Sequence, residues 1–189
     1  GDGDSGLSQG RIARGLKEAL RIASREVVAR LGQAGGYLDD PAVHIPLPDY
    51  LETARDGLET VGAAGLLSDL EQQLNRSAEE AAPAAQSIFF DSIAQMTVAD
   101  ARRILNGPPD AATRYFERTM SPDLRAAFRP IIDERLNRTG AMRLLDRTIE
   151  QYEGIPFASS LADDAEGRLV DHTLGGGVAG LFLYLDEEE

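Results

Sequence analysis

Helical periodicity interrupted by single breakers runs along this sequence, and it is the feature that most limits how the chain can fold. From Leu7 to Leu31, apolar residues recur every three or four positions, which is the spacing of one face of an α-helix. Ser8 is a candidate N-cap for this first helix, and Gly32 is a candidate stop. Strand-like alternation is nearly confined to "AVHIPLP", whose prolines favour an edge or an extended loop. The pattern predicts an all-α fold.

Capping residues and prolines divide the middle of the chain into further helices. We expect a second helix from Pro48 to about Gly62. A third should run from Ser68, where "SDLE" matches a capping box, towards Met96. Pro83 lies inside this third segment and predicts either a kink or the start of a new helix.

Two more helix starts follow, with glycines between them. "TVAD" from Thr97 is a second capping pattern, and Pro122 in "SPDL" suits the first turn of another helix. Gly107 and Gly140 are natural stops. The three glycines at 175–177 predict a break or hinge between short C-terminal helices.

Together these signals predict a bundle-like domain of about eight helices, either as one body or as two subdomains around a cavity. We assign residues 1–6 to a flexible acidic tail and residues 7–189 to a single helical domain. The domain divides into an N-terminal helical pair with an extended loop, a central core and a C-terminal group of helices: 7–62 with the loop at 32–47, 66–152 and 160–189.

The net charge argues against polyanionic partners. The chain has 32 acidic and 19 basic residues, a formal charge of −13, so its field repels nucleic acid and anionic lipid headgroups. The arginines do not cluster into a basic stripe on one side, and no nucleic-acid binding is predicted. Cysteine is absent, which excludes disulfides and thiolate chemistry.

No apolar run approaches the roughly 18 residues of a membrane span, so no transmembrane span is predicted. The sequence starts without Met, and we expect a processed or recombinant mature form from which any signal peptide has been removed.

The stretch "LNRSAEEAAPAAQSIFFDSI" sets polar residues beside a stripe of alanines. On a helical wheel one face is apolar, with Asn75 and Glu79 at its flank and Arg76 and Glu80 further round. The simple interpretation of Arg76 and Glu80 is a surface ion pair at i and i+4. The alternative is that Asn75, Arg76 or Glu79 orients the polar end of a ligand.

Several motifs in this chain resemble a known family. They are "IARGLKEAL", "HIPLP", "LNRSAEEAAPAAQSIFFDSIAQMTVADARRILNG", "DAATRYFERT" and "LRAAFRPII", which occur in this order between Leu7 and Leu145. The sequence is similar to the bacterial domain of unknown function family numbered 4197. The resemblance implies an all-helical exported protein, hence a periplasmic location with a signal peptide or lipoprotein anchor outside this sequence, and it implies no assigned activity.

Candidate catalytic and metal-binding motifs are weak. "GDSG" at 3–6 has no upstream His or Asp, and "DGDSG" is out of register for a calcium loop. His44 and His172 have no nucleophile in a recognisable motif and are interpreted as structural or surface residues. The glycines at 175–177 lack the Lys of a phosphate loop, and the acidic pairs at 39–40 and 163–164 lack ligand spacing. No metal or cofactor is predicted.

Three functions remain open. The favoured hypothesis is a non-enzymatic carrier for an apolar, lipid-like ligand such as a fatty acid or a sterol- or hopanoid-type lipid, held in a cavity between helices. Its lining and polar contacts are predicted at Leu74, Asn75, Arg76, Phe89, Ile93, Thr113, Tyr115, Phe116, Phe128 and Phe182.

The alternatives differ in what the same residues do. In the second hypothesis the apolar side chains fill a core, and the protein is an envelope scaffold or partner-binding module without a small-molecule ligand. Its partners would be other envelope transport proteins. In the third, Glu79 and Tyr115 act as acid and base in an enzyme. The carrier requires an internal cavity, whereas the scaffold requires an exposed apolar patch of more than roughly 600 Å².

Overall fold

The computed structural model describes residues 2–153 and 164–188, and every regular element in these ranges is helical. The all-α prediction is confirmed. Nine α-helices and one short 3₁₀ helix at Ala82–Ala84 occupy the described residues: α1 (Asp2–Gly32), α2 (Asp49–Glu52), α3 (Arg55–Thr60), α4 (Ala64–Ala81), α5 (Ala85–Gln95), α6 (Val98–Asn106), α7 (Ala111–Arg138), α8 (Ala141–Glu153) and α9 (Ala165–Glu188).

The first helix stops where the sequence predicts and starts earlier. α1 ends at Gly32, but it begins at Asp2, so Ser8 lies inside the helix and is not its N-cap. Residues 2–6, which the sequence assigns to an acidic tail, form the first turns of α1.

Proline has opposite outcomes at two places in the chain. Pro83 interrupts the predicted third helix as expected, because the 3₁₀ turn around it separates α4 from α5. Pro122 does not start a helix: it lies inside the 28-residue α7, together with Pro130. The face of α7 that carries Phe116, Leu124 and Phe128 is fully buried, and this packing outweighs the local cost of the prolines.

Two capping boxes were predicted and one forms. Thr97 Oγ1 accepts from the Asp100 N–H, and Asp100 Oδ2 accepts from the Thr97 N–H, each at 3.0 Å, at the start of α6. Ser68 is not a cap, because α4 already begins at Ala64. The predicted second helix is divided in two, α2 and α3, with a turn at 53–54 between them.

Three helices form the centre of the molecule. α7 packs against both α4 and α9, while α1 covers α5, α6 and α9. Their buried side chains belong to one contiguous hydrophobic cluster. Gly140, at a φ of 82°, makes the turn from α7 into α8, as expected for a helix stop that needs left-handed backbone.

The predicted break at 175–177 is absent. α9 runs without interruption from Ala165 to Glu188 and includes all three glycines. Residues 160–163 and residue 189 of the predicted C-terminal group lie outside the described ranges. Among the described helices, none combines the length and apolar character needed to cross a membrane.

Candidate functional site

One face of α4 carries three polar residues that are spaced one turn apart, Glu71, Asn75 and Glu79. Positions i, i+4 and i+8 of a helix lie above one another. All three side chains point at the same partner, the non-helical segment 33–48 between α1 and α2. We call residues 35–47 of this segment the anchored loop.

Glu79 holds the start of the anchored loop. Its carboxylate accepts backbone N–H groups from Gly35 at 3.0 Å, Tyr37 at 3.2 Å and Leu38 at 2.9 Å. Arg76 Nη1 donates to the same carboxylate at 2.9 Å. Since Glu79 is only 4% exposed, this full set of donors compensates the cost of burying its charge.

Asn75 holds the middle of the anchored loop by hydrogen bonding to both backbone groups of Ile45. Its Oδ1 accepts the Ile45 N–H at 2.7 Å, and its Nδ2 donates to the Ile45 carbonyl at 2.9 Å and to the Glu71 carbonyl at 2.9 Å. A buried backbone unit that lies outside regular structure must find both of its hydrogen bonds elsewhere. One amide side chain supplies both for Ile45.

Glu71 holds the end of the loop with weaker contacts. Its Oε1 accepts the Leu47 N–H at 3.3 Å, and its Oε2 lies 3.5 Å from Nε2 of His44. The His44 ring also contacts the Leu38 carbonyl through Nδ1 at 2.9 Å. Both histidines have structural contacts, because His172 Nε2 donates to the Pro46 carbonyl at 2.6 Å.

The other side of the anchored loop packs on α9. Tyr37 is fully buried, and its hydroxyl donates to the Gly177 carbonyl at 2.6 Å. Burial raises the pKa of Tyr37 far above its ordinary value. The Tyr184 hydroxyl donates to Asp40, and burial together with this bond raises the pKa of Tyr184 to about 12.

The glycines of α9 allow this close approach. A Cβ at Gly176 would lie 2.9 Å from Cγ1 of Ile45, and one at Gly180 would lie 2.8 Å from the Tyr37 ring. Gly175 faces open space. Glycine costs about 1 kcal/mol in a helix interior relative to alanine, and packing with the anchored loop offsets that cost at Gly176 and Gly180.

We therefore expect Gly180→Ala to lower the free energy of unfolding by about 1 kcal/mol or more, because overpacking outweighs the gain in helix propensity. Tyr37 cannot retreat without losing its bond to Gly177. Gly175→Ala is the matched control and should raise stability by up to about 1 kcal/mol. Urea denaturation of both variants measures the difference, and equal stability gains would contradict the close packing.

A cleft of about 630 Å³ opens beside this contact. One wall is the anchored loop at 42–46, and the other is the face of α9 that carries Gly175, Ala179 and Leu183. Asp171 and His172 lie at its polar end, where Arg129 Nη1 contacts Asp171 Oδ1 at 2.6 Å. The cleft is thus mainly apolar, with polar groups on one side, as in many small-molecule sites.

The apolar residues predicted to line an internal cavity are core residues. Phe89 and Phe116 pack edge to face with ring centroids 5.5 Å apart. None of the predicted apolar side chains is more than 8% exposed: Leu74, Phe89, Ile93, Tyr115, Phe116, Phe128 and Phe182. Of these, only Tyr115 also lines one of the five surface depressions described, a small one between α5 and α7.

The predicted polar contacts do not converge on one place. Asn75 and Arg76 hold the anchored loop, whereas Thr113 and Tyr115 lie on α7. The Arg76–Glu80 pair is wrong: Arg76 pairs with Glu79, and Glu80 pairs with Arg135 and Arg138. Glu79 and Tyr115 likewise face different surroundings, the loop and the α5–α7 depression.

The sequence did not predict that residues 42–46 form one wall of the cleft, or that the α9 face with Gly175, Ala179 and Leu183 forms the other. A usable signal was present, because a glycine triplet inside a helix often marks a place where other backbone or side chains approach closely. Over the described ranges, no group of His, Asp or Glu side chains is arranged to hold a metal ion.

The fold and site together define an all-α domain in which one helix binds the backbone of a long loop and sets it against a glycine-faced helix. The family model described as "Protein of unknown function (DUF4197)" matches residues 6–189, and the chain belongs to this family. The match is wider than the motifs between Leu7 and Leu145 and includes the cleft. No curated protein and no solved structure matched the sequence.

Proposed function

We propose that this protein is a non-catalytic binding protein that holds an apolar, lipid-like ligand in the cleft between the anchored loop and α9. The observation that carries the proposal is the cleft itself. Its volume of about 630 Å³ lies within the usual range of roughly 300–1,000 Å³ for small-molecule sites. The exposed side chains of Ala42, Ala179 and Leu183 supply apolar contacts, and His172 supplies a polar one.

The structure of the anchored loop supports a ligand site at this position. Three side chains of α4 hold the loop from one side, and Tyr37 fixes it on α9 from the other. A wall fixed in this way needs little ordering when a ligand binds, and a pre-organised site therefore loses less affinity. A fatty acid or a sterol- or hopanoid-type lipid has the required apolar body with one polar end.

We also propose that the protein catalyses no reaction in the cleft. Nε2 of His172 is engaged by the Pro46 carbonyl, and Asp171 is paired with Arg129. General acid–base catalysis requires a group that can reach the proton it transfers. We also propose the exported, periplasmic location and the role in lipid transport that the family resemblance implies.

The test is native mass spectrometry of the purified protein, followed by organic extraction and an untargeted lipid screen. Gly175→Leu fills the cleft, and its Cβ meets nothing within 4 Å, so the fold should survive. Its matched control is Gly15→Leu in α1, where a Cβ also meets nothing within 4 Å. We expect a bound apolar mass in the parent protein and in Gly15→Leu, and at least about tenfold weaker binding in Gly175→Leu, equivalent to 1.4 kcal/mol.

Two results would overturn the carrier. One is a ligand-free mass that gains no lipid on incubation with fatty acids, sterols or hopanoids. The other is lipid binding that Gly175→Leu leaves unchanged, because the ligand would then occupy a different site. The scaffold hypothesis would replace the carrier in the first case, and the exposed apolar residues on α1 and α6 already favour a second, protein-binding surface.

A further inference from the structure

The loop wall of the cleft, residues 42–46, has its backbone donors engaged within the protein. Asp40 accepts three of them, through Oδ1 at 3.0 Å and through its carbonyl at 3.2 and 2.8 Å. The donors are, in that order, the N–H groups of Ala42, Val43 and His44. The Ile45 N–H is bonded to α4, and Pro46 has no N–H. This wall therefore keeps no backbone donor for a ligand.

The α9 wall has its donors engaged as well. α9 is continuous from Ala165 to Glu188, so the N–H groups of its cleft-lining residues donate to carbonyls one turn earlier in the helix. The His172 ring directs Nε2 at the Pro46 carbonyl at 2.6 Å. Because a carbonyl only accepts, this nitrogen carries the ring proton. In the neutral ring, Nδ1 of His172 is then an acceptor.

The second histidine of the cleft is directed at acceptors of the protein. Nδ1 of His44 lies 2.9 Å from the Leu38 carbonyl, and its Nε2 lies 3.5 Å from Oε2 of Glu71. The other residues that line the cleft have apolar side chains, no side chain or the carboxylate of Asp171. None of these provides an N–H or O–H group from its side chain.

Acceptors, by contrast, remain available in the residues that line the cleft. Across the described ranges, the carbonyl groups of Ala42, Val43 and His44 accept no hydrogen bond from the protein. Asp171 contacts Arg129 through Oδ1, which leaves its Oδ2 open to a ligand. A ligand that covers such oxygens without donating to them removes their hydrogen bonds to water at a cost in affinity.

We propose that the ligand of the cleft carries a hydrogen-bond donor at its polar end, as an alcohol or an amine does, and that it is not a carboxylate. This ligand class rests on the proposed function and narrows it. A sterol- or hopanoid-type lipid with a hydroxyl group fits, whereas a free fatty acid does not. The hydroxyl or ammonium group would donate to the loop carbonyls and to Asp171. A carboxylate has no proton to donate.

Charge acts in the same direction as the hydrogen bonds. The chain has a formal charge of −13, and its field repels anions. Arg129 carries donors beside the polar end, but it is not one of the lining residues, and its Nη1 is engaged by Asp171. A carboxylate that reached Arg129 would compete with Asp171 for it and would face the negative charge of that residue.

The experiment compares probes that share one alkyl chain and differ in the polar end: decanol, decylamine and decanoate. Isothermal titration calorimetry with the full chain measures their affinities at about pH 8, above the range in which histidines ordinarily take up a proton. We expect decanol and decylamine to bind at least about tenfold more tightly than decanoate, because acceptors left without donors cost affinity.

Decyl methyl ether separates the donor from the charge. It is neutral like decanol and keeps an oxygen acceptor, but it has no proton to donate. It also has more apolar surface than decanol, so weaker binding of the ether cannot come from the hydrophobic effect. We expect the ether to bind at least about threefold more weakly than decanol, the size of one lost hydrogen bond.

Variants locate the polar end. Gly175→Leu should weaken every probe that occupies the cleft. Asp171→Asn replaces an acceptor with an amide that also donates, and it should narrow the difference between decylamine and decanoate by about threefold. The control, Asp186→Asn, makes the same charge change at an exposed position of α9 that does not line the cleft. It should bind the probes as the parent does, and circular dichroism establishes that each variant folds.

The outcomes distinguish the ligand class from the site. If decanoate or the ether binds as tightly as decanol, and Gly175→Leu removes this binding, the donor requirement is overturned and the lipid cleft stands. Loss of that decanoate affinity in Arg129→Gln would show instead a carboxylate ligand held by this arginine. No binding of any probe, or binding that Gly175→Leu leaves unchanged, would overturn the lipid cleft and the donor requirement together.

Discussion

Glu79→Ala should lower the free energy of unfolding by about 3–5 kcal/mol, the range found when one partner of a buried charged pair is removed. The substitution leaves the N–H groups of Gly35, Tyr37 and Leu38 without their acceptor. Each buried donor without a partner costs about 1–3 kcal/mol. The Arg76 guanidinium also loses its carboxylate.

The neighbouring residue provides the control. Glu80 pairs with Arg135 and Arg138 in contact with solvent, and Glu80→Ala should cost no more than about 1 kcal/mol because exposed ion pairs contribute little. Urea denaturation followed by circular dichroism measures both variants. Similar losses for Glu79→Ala and Glu80→Ala would mean that the anchored loop does not depend on the buried carboxylate.

Phe89→Ala should have an effect of similar size, about 3–5 kcal/mol, because it removes a fully buried aromatic ring and leaves a cavity against Phe116. Phe90→Ala is the control at the adjacent position. Phe90 is only partly buried, and the centroid of its ring lies 5.2 Å from the Arg25 guanidinium carbon. Removing this ring should therefore lower the free energy of unfolding by about 1 kcal/mol. Thermal and urea unfolding compare the two.

This pair of variants also separates a core from a lined cavity. If Phe89 faced an internal ligand site, a polar substitution would keep the fold and remove the ligand. With Phe89 at 0% exposure, a charge at this position should prevent folding. A stably folded Phe89→Glu variant would contradict the packed core and would favour a ligand site in the interior of the protein.

The sequence predicted those features that depend on neighbouring residues. The capping box at Thr97 needs only Asp100, and the interruption at Pro83 needs only the missing N–H of proline. The same local signals failed where a distant partner intervened. Glu71 does not complete a capping box with Ser68, because α4 has already begun and Glu71 reaches Leu47 instead.

The candidate site depended on distant contacts throughout. Asn75 was singled out as a polar residue on an apolar helix, but its partner Ile45 lies 30 residues away. Helix propensity argued against a helix through 175–177, whereas the contacts of Gly176 with Ile45 and of Gly180 with Tyr37 come from another part of the chain. One sequence does not reveal which loop will approach a glycine.

The contacts from α4 to the anchored loop are made largely with main-chain atoms. Glu71, Asn75 and Glu79 bind the backbone groups of Gly35, Tyr37, Leu38, Ile45 and Leu47. Main-chain groups are the same in almost every residue, so exchanging the exposed side chains of Ala42 or Pro46 leaves these bonds in place. Related proteins can therefore diversify the wall of the cleft, and with it the choice of ligand, at little risk to folding.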